Sequence, residues 1–293
     1  MNVFQRITQI RERVVGMNER NVNLIYPYNA KSDYKYADDK YMAKMLMEKH
    51  QVACPKTYTV VDQIGQIDIA WQAVREWKEL VIKPAKGAGG KGIMILRQGN
   101  GVWLEAGAQV SEEQIFTHIA NIIFGVYSFG DSDVALVEEY IHPHPFFHKL
   151  YPKGVPDIRI ILLKSVPLLG MLRMPTAASN GKANLHQGGL GIGIEMDTGC
   201  LKEAYNGKAH IDHHPDSNRC IPGLIIPYWE ELMALAVAAS KCFPLNYMGV
   251  DLVIDKTKGP MVMEVNVRPG LGIQLANKQG LKQVIDKIMK KEK

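Results

Sequence analysis

The sequence predicts an α+β protein whose strands form antiparallel sheets. Two observations carry this prediction. From residue 80 onward, short β-rich runs alternate with loops, and the runs 249–255 and 260–267 flank a four-residue turn, which predicts a hairpin. Of the 293 residues, 46% are hydrophobic and 22% are charged, which is typical of a globular chain with a core of two average domains or one larger unit.

Each element follows from its own pattern of apolar residues. Spacings of three and four predict an amphipathic helix over residues 3–19 and a second helix over residues 37–49. Residues 21–36, rich in Asn, Tyr and Pro, show no period and predict an extended arm. Further helices are expected at about 70–79, 111–124, 228–242 and 278–290. Further strands are expected at 80–84, 92–96, 134–141 and 158–163.

Composition and charge argue against several classes of protein. The formal net charge is only +5, and aromatic and basic residues do not interleave, so we expect no nucleic-acid partner. The apolar stretch 232–239 is about half as long as a bilayer crossing requires, so no membrane insertion is expected. The N-terminus lacks the apolar core and cleavage site of a secretory signal, and the expected location is therefore cytoplasmic.

Cysteines and histidines raise the alternative of a zinc site. The four cysteines contain no CxxC pair. The histidines form two clusters, which are His142/His144/His148 and His210/His213/His214. Neither cluster has the paired spacing of a structural zinc site, so zinc is not the favoured interpretation.

The glycine-rich segment from Gly87 to Gly92 matches the pattern GxGxxG, but a predicted strand follows it where a dinucleotide-binding loop would open a helix. A Walker A loop is also excluded, because Ala85 stands where that motif requires glycine and Gly92 where it requires Ser or Thr. A glycine-rich hairpin between two strands remains. By itself it is a weak signal, but such a hairpin can bring backbone N–H groups over a polyphosphate, with Lys83 supplying positive charge.

A second group of polar residues lies on the predicted C-terminal hairpin. Glu264 and Asn266 are two residues apart and therefore share a face, and Asp251 lies on the partner strand. Carboxylate and amide oxygens on rigid strands suit Mg²⁺. Arg268 is expected to fall on the same face. The alternative is an ordinary surface strand, but the surrounding valines indicate that both faces are covered, and uncompensated buried carboxylates are costly.

Taken in order along the chain, these motifs resemble those of the ATP-grasp superfamily of carboxylate–amine ligases, most closely the ribosomal-protein glutamate ligases and the alpha-L-glutamate ligase-like proteins. The resemblance covers about residues 37–290. The motifs are Asp39-Lys40, Val81-Ile-Lys83-Pro84 with the glycine-rich segment, Val137-Glu-Glu-Tyr-Ile141, Asp157-Ile-Arg159, Asn184-Leu-His-Gln-Gly188-Gly189, Gly249-Val-Asp251 and Met263-Glu264-Val-Asn266 through Pro269-Gly270.

The resemblance implies an ATP-grasp fold, in which two α/β subdomains with antiparallel sheets clasp ATP. It divides the chain into an N-terminal helix and arm (1–36), a central subdomain with the glycine-rich lid (37–136) and a C-terminal subdomain with the metal site (137–293). Family members usually carry a substantial domain before the Asp-Lys pair, which is largely missing here. We therefore expect a homodimer or a partner protein to complete the substrate pocket.

The resemblance also implies roles for individual residues. Those implied to bind ATP are Lys40 and Lys83 at the phosphates, Gly87, Gly89, Gly90 and Gly92 in the lid, Glu138, Glu139 and Ile141 at the adenine, and Asp157 at the ribose. Those implied to bind two Mg²⁺ ions, or Mn²⁺ in their place, are Asp251, Glu264 and Asn266. Those implied to act on the transferred phosphate or the acyl substrate are Arg159, Arg173, Asn184 and Arg268.

The chemistry implied by the resemblance is phosphoryl transfer from ATP to a carboxylate, followed by attack of an amine on the acyl phosphate. The expected substrates are a small-molecule or peptide carboxylate and an amine, with glutamate-type ligation preferred. Residues 190–227 resemble the ATP-grasp group associated with sugar transfer, which leaves a sugar or cell-envelope carboxylate as an alternative. A non-catalytic ATP-binding regulatory protein is a further alternative.

Overall fold

Two antiparallel sheets with flanking helices make up the chain in the computed structural model, which describes residues 12–87 and 89–291. The strands are β1 (Thr57–Val61), β2 (Glu79–Pro84), β3 (Met94–Gly99), β4 (Val102–Glu105), β5 (Ala108–Val110), β6 (Ala135–Glu139), β7 (Asp157–Leu163), β8 (Val166–Met174), β9 (Leu190–Ile194), β10 (Leu201–Tyr205), β11 (His210–Ile211), β12 (Tyr247–Asp255) and β13 (Gly259–Asn266). The α-helices are α1 (Met17–Arg20), α2 (Tyr26–Tyr28), α3 (Lys35–Asp38), α4 (Lys40–Lys49), α5 (Ile67–Val74), α6 (Glu112–Ile123), α7 (Pro145–Leu150), α8 (Trp229–Ser240), α9 (Gly272–Asn277) and α10 (Leu281–Lys291). The predicted α+β class and antiparallel sheets are confirmed.

The described residues form two compact units. The first unit contains residues 39–44 and 54–141, and the second contains residues 12–38, 45–53 and 142–291. The subdomain bounds expected from the sequence, 37–136 and 137–293, stay a prediction. Among the described residues, no helix has both the length and the apolar composition needed to cross a membrane.

The first unit is a sheet with the strand order β1-β6-β2-β3-β4-β5. Its core contains Trp71 of α5, Ile115 and Ile119 of α6, and Leu80 and Ile82 of β2, all less than 2% exposed. Because side chains alternate along a strand, Val81 and Lys83 of β2 point to the opposite face of the sheet. This alternation leaves one face of the sheet for polar side chains.

The second unit is a sheet with the strand order β11-β10-β9-β8-β7-β12-β13. The hairpin predicted over 249–255 and 260–267 is confirmed as β12 and β13. Helix α9 approaches β9 closely, since a Cβ added to Gly193 would lie 2.6 Å from the carbonyl oxygen of Ala276. Glycine is therefore needed at this position to bring the helix against the sheet.

The N-terminal segment differs from its prediction. Residues 3–11 of the expected helix 3–19 lie outside the described residues, and residues 14–16 are not helical, because Gly16 takes an extended conformation before α1. Residues 21–36 are not an extended arm. They form a π-helical turn at Asn21–Ile25, helix α2, a 3₁₀ turn at Lys31–Asp33 and the start of α3.

Tertiary contacts explain this helical path in a segment with no helical period. Leu24 and Ile25 are buried, 6% and 1% exposed. The buried side chain of Asn29 donates through Nδ2 to the carbonyl oxygen of Tyr247 at 2.6 Å. Its Oδ1 accepts from the backbone N–H groups of Asn246 and Tyr247 at 2.9 and 3.0 Å. Asn29 therefore ties the N-terminal segment to the first residue of β12.

We predict that Asn29→Ala lowers the free energy of unfolding by about 2–3 kcal/mol, because it leaves buried backbone groups of β12 without partners. Urea denaturation measures the change. Asn23→Ala is the matched control, since Asn23 lies in the same segment and is exposed. Equal stability of the two variants would show that Asn29 does not anchor the segment.

Candidate functional site

The polar residues predicted from the C-terminal motifs meet on one face of the second sheet. Asp251 of β12 lies opposite Arg159 of β7 and opposite Glu264 of β13. Asp157 of β7 lies opposite Arg173 of β8. Residues two apart on a strand share a face. The side chains on this face are therefore Asp157, Arg159, Arg173, Asp251, Glu264 and Asn266.

The Asp251 carboxylate is the centre of this group. Arg159 donates to it through Nε at 2.7 Å and through Nη2 at 2.6 Å, and Arg173 donates through Nη2 at 2.7 Å. Asn266 Nδ2 adds a hydrogen bond of 3.1 Å. Burial raises the pKa of Asp251, but the two guanidinium groups outweigh burial and hold the pKa at about 2. Asp251 is therefore an anion throughout the ordinary pH range.

Asp157 shares the same arginine but behaves differently. Arg173 Nε donates to Asp157 Oδ1 at 2.5 Å. Burial raises the pKa of Asp157 to about 6, although Arg173 opposes the rise. Arg173 thus bridges two carboxylates, and these outweigh the effect of burial so that its own pKa is raised. Of the two carboxylates, Asp157 is the one that titrates near neutral pH.

The side chains on this face carry the oxygen atoms that a hard divalent cation prefers, and in this structure the Asp251 oxygens accept from Arg159, Arg173 and Asn266. Asp251 is ionised, and Glu264 lies directly across the hairpin from it. Asn266 donates through Nδ2, so its amide oxygen is the atom that could accept a further contact. Oxygen donors of this kind are those that Mg²⁺ prefers. Among the described residues, no group of three His, Cys, Asp or Glu side chains is placed to hold a metal. A metal site on this face would therefore need the Asn266 amide oxygen as its third protein ligand.

Two predicted residues have contacts elsewhere. Asn184 Oδ1 accepts from the backbone N–H of His186 at 3.0 Å and caps the 3₁₀ turn Leu185–Gln187. The Arg268 guanidinium stacks over the Tyr34 ring at 4.8 Å and lies 3.6 Å from Asp38. The expectation that Arg268 continues the face of Glu264 and Asn266 is wrong, because β13 ends at Asn266 and strand alternation ends with it.

The histidine clusters have structural contacts. His144 Nδ1 accepts from the backbone N–H of Phe146 at 3.2 Å and caps α7. The buried His214 bonds the carbonyl oxygen of Pro175 at 2.9 Å through Nε2 and stacks on Tyr151. These contacts give both histidines a role in packing.

In the first unit, Glu138 of β6 lies between two lysines. Its Oε2 is 2.7 Å from Lys83 Nζ and its Oε1 is 2.6 Å from Lys44 Nζ. All three side chains are at least 92% buried. Lys44 also donates to the carbonyl oxygen of Pro55 at 2.5 Å and to Thr57 Oγ1 at 3.3 Å. Burial lowers the pKa of Lys44, and Lys83 adds to that effect while Glu138 opposes it.

Lys44 is a site residue that the sequence analysis missed. The signal was present, since Lys40 and Lys44 are four residues apart and share one face of α4. The Glu138 carboxylate, expected at the adenine, bridges the two lysines in this structure. Its burial makes both ion pairs necessary, because an unpaired buried carboxylate is costly.

The remaining predicted nucleotide residues lie around the glycine-rich segment and β6. Lys40 Nζ donates to the Gly87 carbonyl oxygen at 2.6 Å. Glu139 accepts from the Lys56 N–H through Oε1 at 2.8 Å, and its own N–H donates to the Lys56 carbonyl oxygen at 3.0 Å. Ile141 is buried. The glycines with positive φ are Gly89, Gly90 and Gly92, at 65°, 73° and 74°.

We predict that Arg173→Met lowers the free energy of unfolding by about 3 kcal/mol at pH 8, because the buried Asp251 and the half-buried Asp157 then lose a cationic partner. The loss should be smaller at pH 5, where Asp157 takes up a proton. Urea denaturation at both pH values measures it. Arg219→Met, at an exposed arginine of the same unit, is the control and should have no such effect.

A pH dependence follows from Asp157 itself. Its folded-state pKa of about 6 lies above the ordinary 3.8, so the folded chain binds the proton first. The resulting stability is fully present below about pH 3.8 and is lost as pH rises through 6. Relative to Asp157→Asn, the wild-type chain should therefore gain stability between pH 8 and pH 5. Parallel stability curves for the two proteins would contradict this.

Comparison with one solved structure, that of the D-alanyl-alanine synthetase, supports the fold. The D-alanyl-alanine synthetase A from Vibrio cholerae O1 biovar eltor str. N16961 aligns over 87% of this chain and 64% of its own, with a TM-score of 0.52 and 13% identity. The D-cycloserine synthetase DcsG aligns over 87% of this chain and 71% of its own, with a TM-score of 0.48 and 16% identity. This chain thus spans less than two thirds of the length of the Vibrio enzyme. No curated protein matches it.

Comparison with protein families extends over nearly the whole chain. Residues 19–290 match the family described as sugar-transfer associated ATP-grasp. The matched range contains both sheets and every polar residue of the two clusters described above. The chain therefore belongs to the sugar-transfer associated ATP-grasp family and has an ATP-grasp fold.

Proposed function

We propose that this protein is an ATP- and Mg²⁺-dependent ligase that joins a carboxylate to an amine. The observation that carries the proposal is the placement of Asp251, Glu264 and Asn266 beside Arg159 and Arg173 on one sheet face. A set of oxygen ligands next to fixed positive charge is what phosphoryl transfer requires.

The proposed reaction has two steps. The γ-phosphoryl group of ATP passes to a carboxylate oxygen of the first substrate, and ADP leaves. The amine nitrogen of the second substrate then attacks the acyl carbon, the C–O bond to phosphate breaks, and inorganic phosphate leaves with the amine proton released. Neither step needs a nucleophile from the protein, which agrees with a site of oxygen donors and cationic side chains.

The chain's own residues would bind and orient the reactants. Arg159 and Arg173 would offer guanidinium donors to the transferred phosphoryl group or to the acyl carboxylate. Lys83 and Lys40 of the first unit would do the same for the ATP phosphates. Asp251, Glu264 and Asn266 would hold Mg²⁺, which when bound neutralises phosphate charge.

The substrate class is the less constrained part of the proposal. Amino-acid or peptide ligation of the glutamate type is the interpretation from the motifs. The family match favours a second candidate, a carboxylate carried by a sugar or cell-envelope intermediate. Both candidates use the same ATP chemistry, so the acceptor alone distinguishes them. The alternative of a non-catalytic ATP-binding protein gives no reason for three oxygen ligands on one face.

We predict that Glu264→Ala reduces substrate-dependent ADP release by at least about 100-fold, because it removes one of two carboxylates that hold the metal. The assay follows ADP and new product masses with ATP, Mg²⁺ and pools of amino acids, peptides and sugar acids. Glu264→Gln keeps the side-chain shape and tests the charge. Glu231→Ala, at an exposed acid of α8, is the matched control and should retain activity.

The product identifies the substrate class. A condensed amino-acid product that is lost in both Glu264 variants supports the glutamate-type proposal, and a condensed sugar-acid product supports the second candidate. ATP binding without a product from any pool, unaffected by Glu264→Ala, would support the non-catalytic alternative.

A further inference from the structure

The connection between α6 and β6, residues 124–134, is a tightly hydrogen-bonded part of the first unit. Gly125 and Gly130 have φ values of 76° and 90°. The N–H groups of Ser128 and Gly130 both donate to the Gly125 carbonyl oxygen at 3.0 Å, and the Asp133 N–H donates to the Ile123 carbonyl oxygen at 3.3 Å. These bonds hold the connection against the end of α6. It is therefore a fixed support for the segments that contact it.

The first end of the glycine-rich segment is tied to this connection. The buried Asp133 carboxylate accepts from the Lys86 N–H at 3.0 and 3.1 Å, one bond to each oxygen. The Ser128 hydroxyl also donates to Asp133. Lys86 Nζ donates to the Ser132 carbonyl oxygen at 2.9 Å. Lys86 is thus held at both its backbone and its side chain.

The second end is tied to the same connection through Tyr127. A Cβ added to Gly92 would lie 2.6 Å from two ring carbons of Tyr127, so the aromatic ring lies directly on the glycine backbone. His118 of α6 bonds the Gly92 carbonyl oxygen through Nε2 at 3.0 Å. The Tyr127 hydroxyl in turn lies 3.4 Å from His118 Nδ1. Gly92 thus contacts the Tyr127 ring through its backbone and His118 through its carbonyl oxygen.

These contacts define one tautomer of His118. The Gly92 carbonyl can only accept, so Nε2 must carry a proton, and Nδ1 is then free to accept from the Tyr127 hydroxyl in a neutral imidazole. Burial lowers the pKa of His118, although its bond to Gly92 and the charge of Glu105 oppose this. The neutral imidazole is therefore the form that completes the chain of bonds from Tyr127 to Gly92.

We propose that Asp133, Tyr127 and His118 are positioning residues that fix Lys86, which directly precedes the glycine-rich segment, and Gly92, its last residue, for binding of the ATP phosphates. The proposal rests on the proposed function, in which this segment contacts ATP. It assigns a role to a connection that no motif in the sequence singles out.

The physical benefit is a smaller entropic cost of binding. Backbone that is already held at Lys86 and Gly92 before ATP binds loses less conformational entropy on binding than backbone without those contacts. The free energy of ATP binding then does not have to offset the ordering of Lys86 and Gly92. Loss of an anchor should therefore weaken ATP binding more than it slows the chemical step.

The experiment compares His118→Leu, which removes the donor to Gly92, with His118→Gln, whose side-chain N–H can replace it. Lys86 and Lys91 are exposed trypsin sites at and near the two ends. We expect trypsin to cleave His118→Leu about fivefold faster than wild type at Lys91 without nucleotide, and the KM for ATP to rise about fivefold with kcat little changed. His118→Gln should recover most of both effects.

Two further variants complete the test. Thr117→Leu, at an exposed position of the same helix, is the matched control and should behave as wild type. Asp133→Asn should accelerate cleavage at Lys86 in preference to Lys91, which a general loss of folding would not do. Thermal unfolding followed by circular dichroism identifies any variant that fails to fold, and the conservative His118→Gln and Asp133→Asn variants then carry the comparison.

Equal cleavage rates in His118→Leu, His118→Gln and wild type would overturn the proposal. A change in kcat without a change in the KM for ATP would also overturn it. The cleavage comparison needs no nucleotide, so it separates this proposal from the proposed function. If wild type binds no ATP in calorimetry but the cleavage pattern is as expected, the ends are fixed as described while the ligase proposal fails.

Discussion

The buried carboxylate of Asp251 is the constraint on which the second unit depends. A charge that is 1% exposed must be compensated within the protein. The compensation comes from Arg159 and Arg173, which lie on two other strands, and from Asn266 on a third. A one-residue shift in any of these strands would turn its side chain to the opposite face and leave the carboxylate unpaired. The charge network and the antiparallel register therefore require each other.

Each unit contains a cluster of acidic and basic side chains, and the balance between the two kinds of group differs between the clusters. In the first, Glu138 lies between Lys44 and Lys83, so basic groups outnumber acidic ones. In the second, two arginines, Arg159 and Arg173, share a sheet face with three acidic side chains, Asp157, Asp251 and Glu264, so acidic groups outnumber basic ones. An excess of positive charge suits a phosphate anion, and an excess of negative charge suits a divalent cation. The division of labour in the proposed function follows from this difference.

Local alternation in the sequence was enough to predict the C-terminal hairpin and the shared face of Asp251, Glu264 and Asn266. The prediction of Arg159 and Arg173 as site residues needed the family resemblance, because the register of β7 and β8 against β12 is not a local property of the sequence. Strand β8 was missed since Pro167 and Gly170 interrupt its β-rich pattern. The prediction of an extended arm was wrong because Asn29 and the buried Leu24 and Ile25 determine that path. The hydrogen bonds of Asn29 reach residues more than 200 positions away.

The charged groups lie on strands, whereas the glycine-rich segment lies between β2 and β3. Both placements follow from how much backbone rigidity each group needs. Ion pairs in a desolvated site stabilise the fold less when their atoms move apart, so their side chains need a rigid backbone. Hydrogen-bonded strands provide that backbone. A segment that must approach phosphate closely needs instead a backbone free of side-chain bulk, and three of its glycines have positive φ. The entropic cost of binding through such a segment is smaller when its ends are already fixed. Asp133 and Tyr127 sit at those ends, so rigidity is supplied where the sequence of the segment itself cannot supply it.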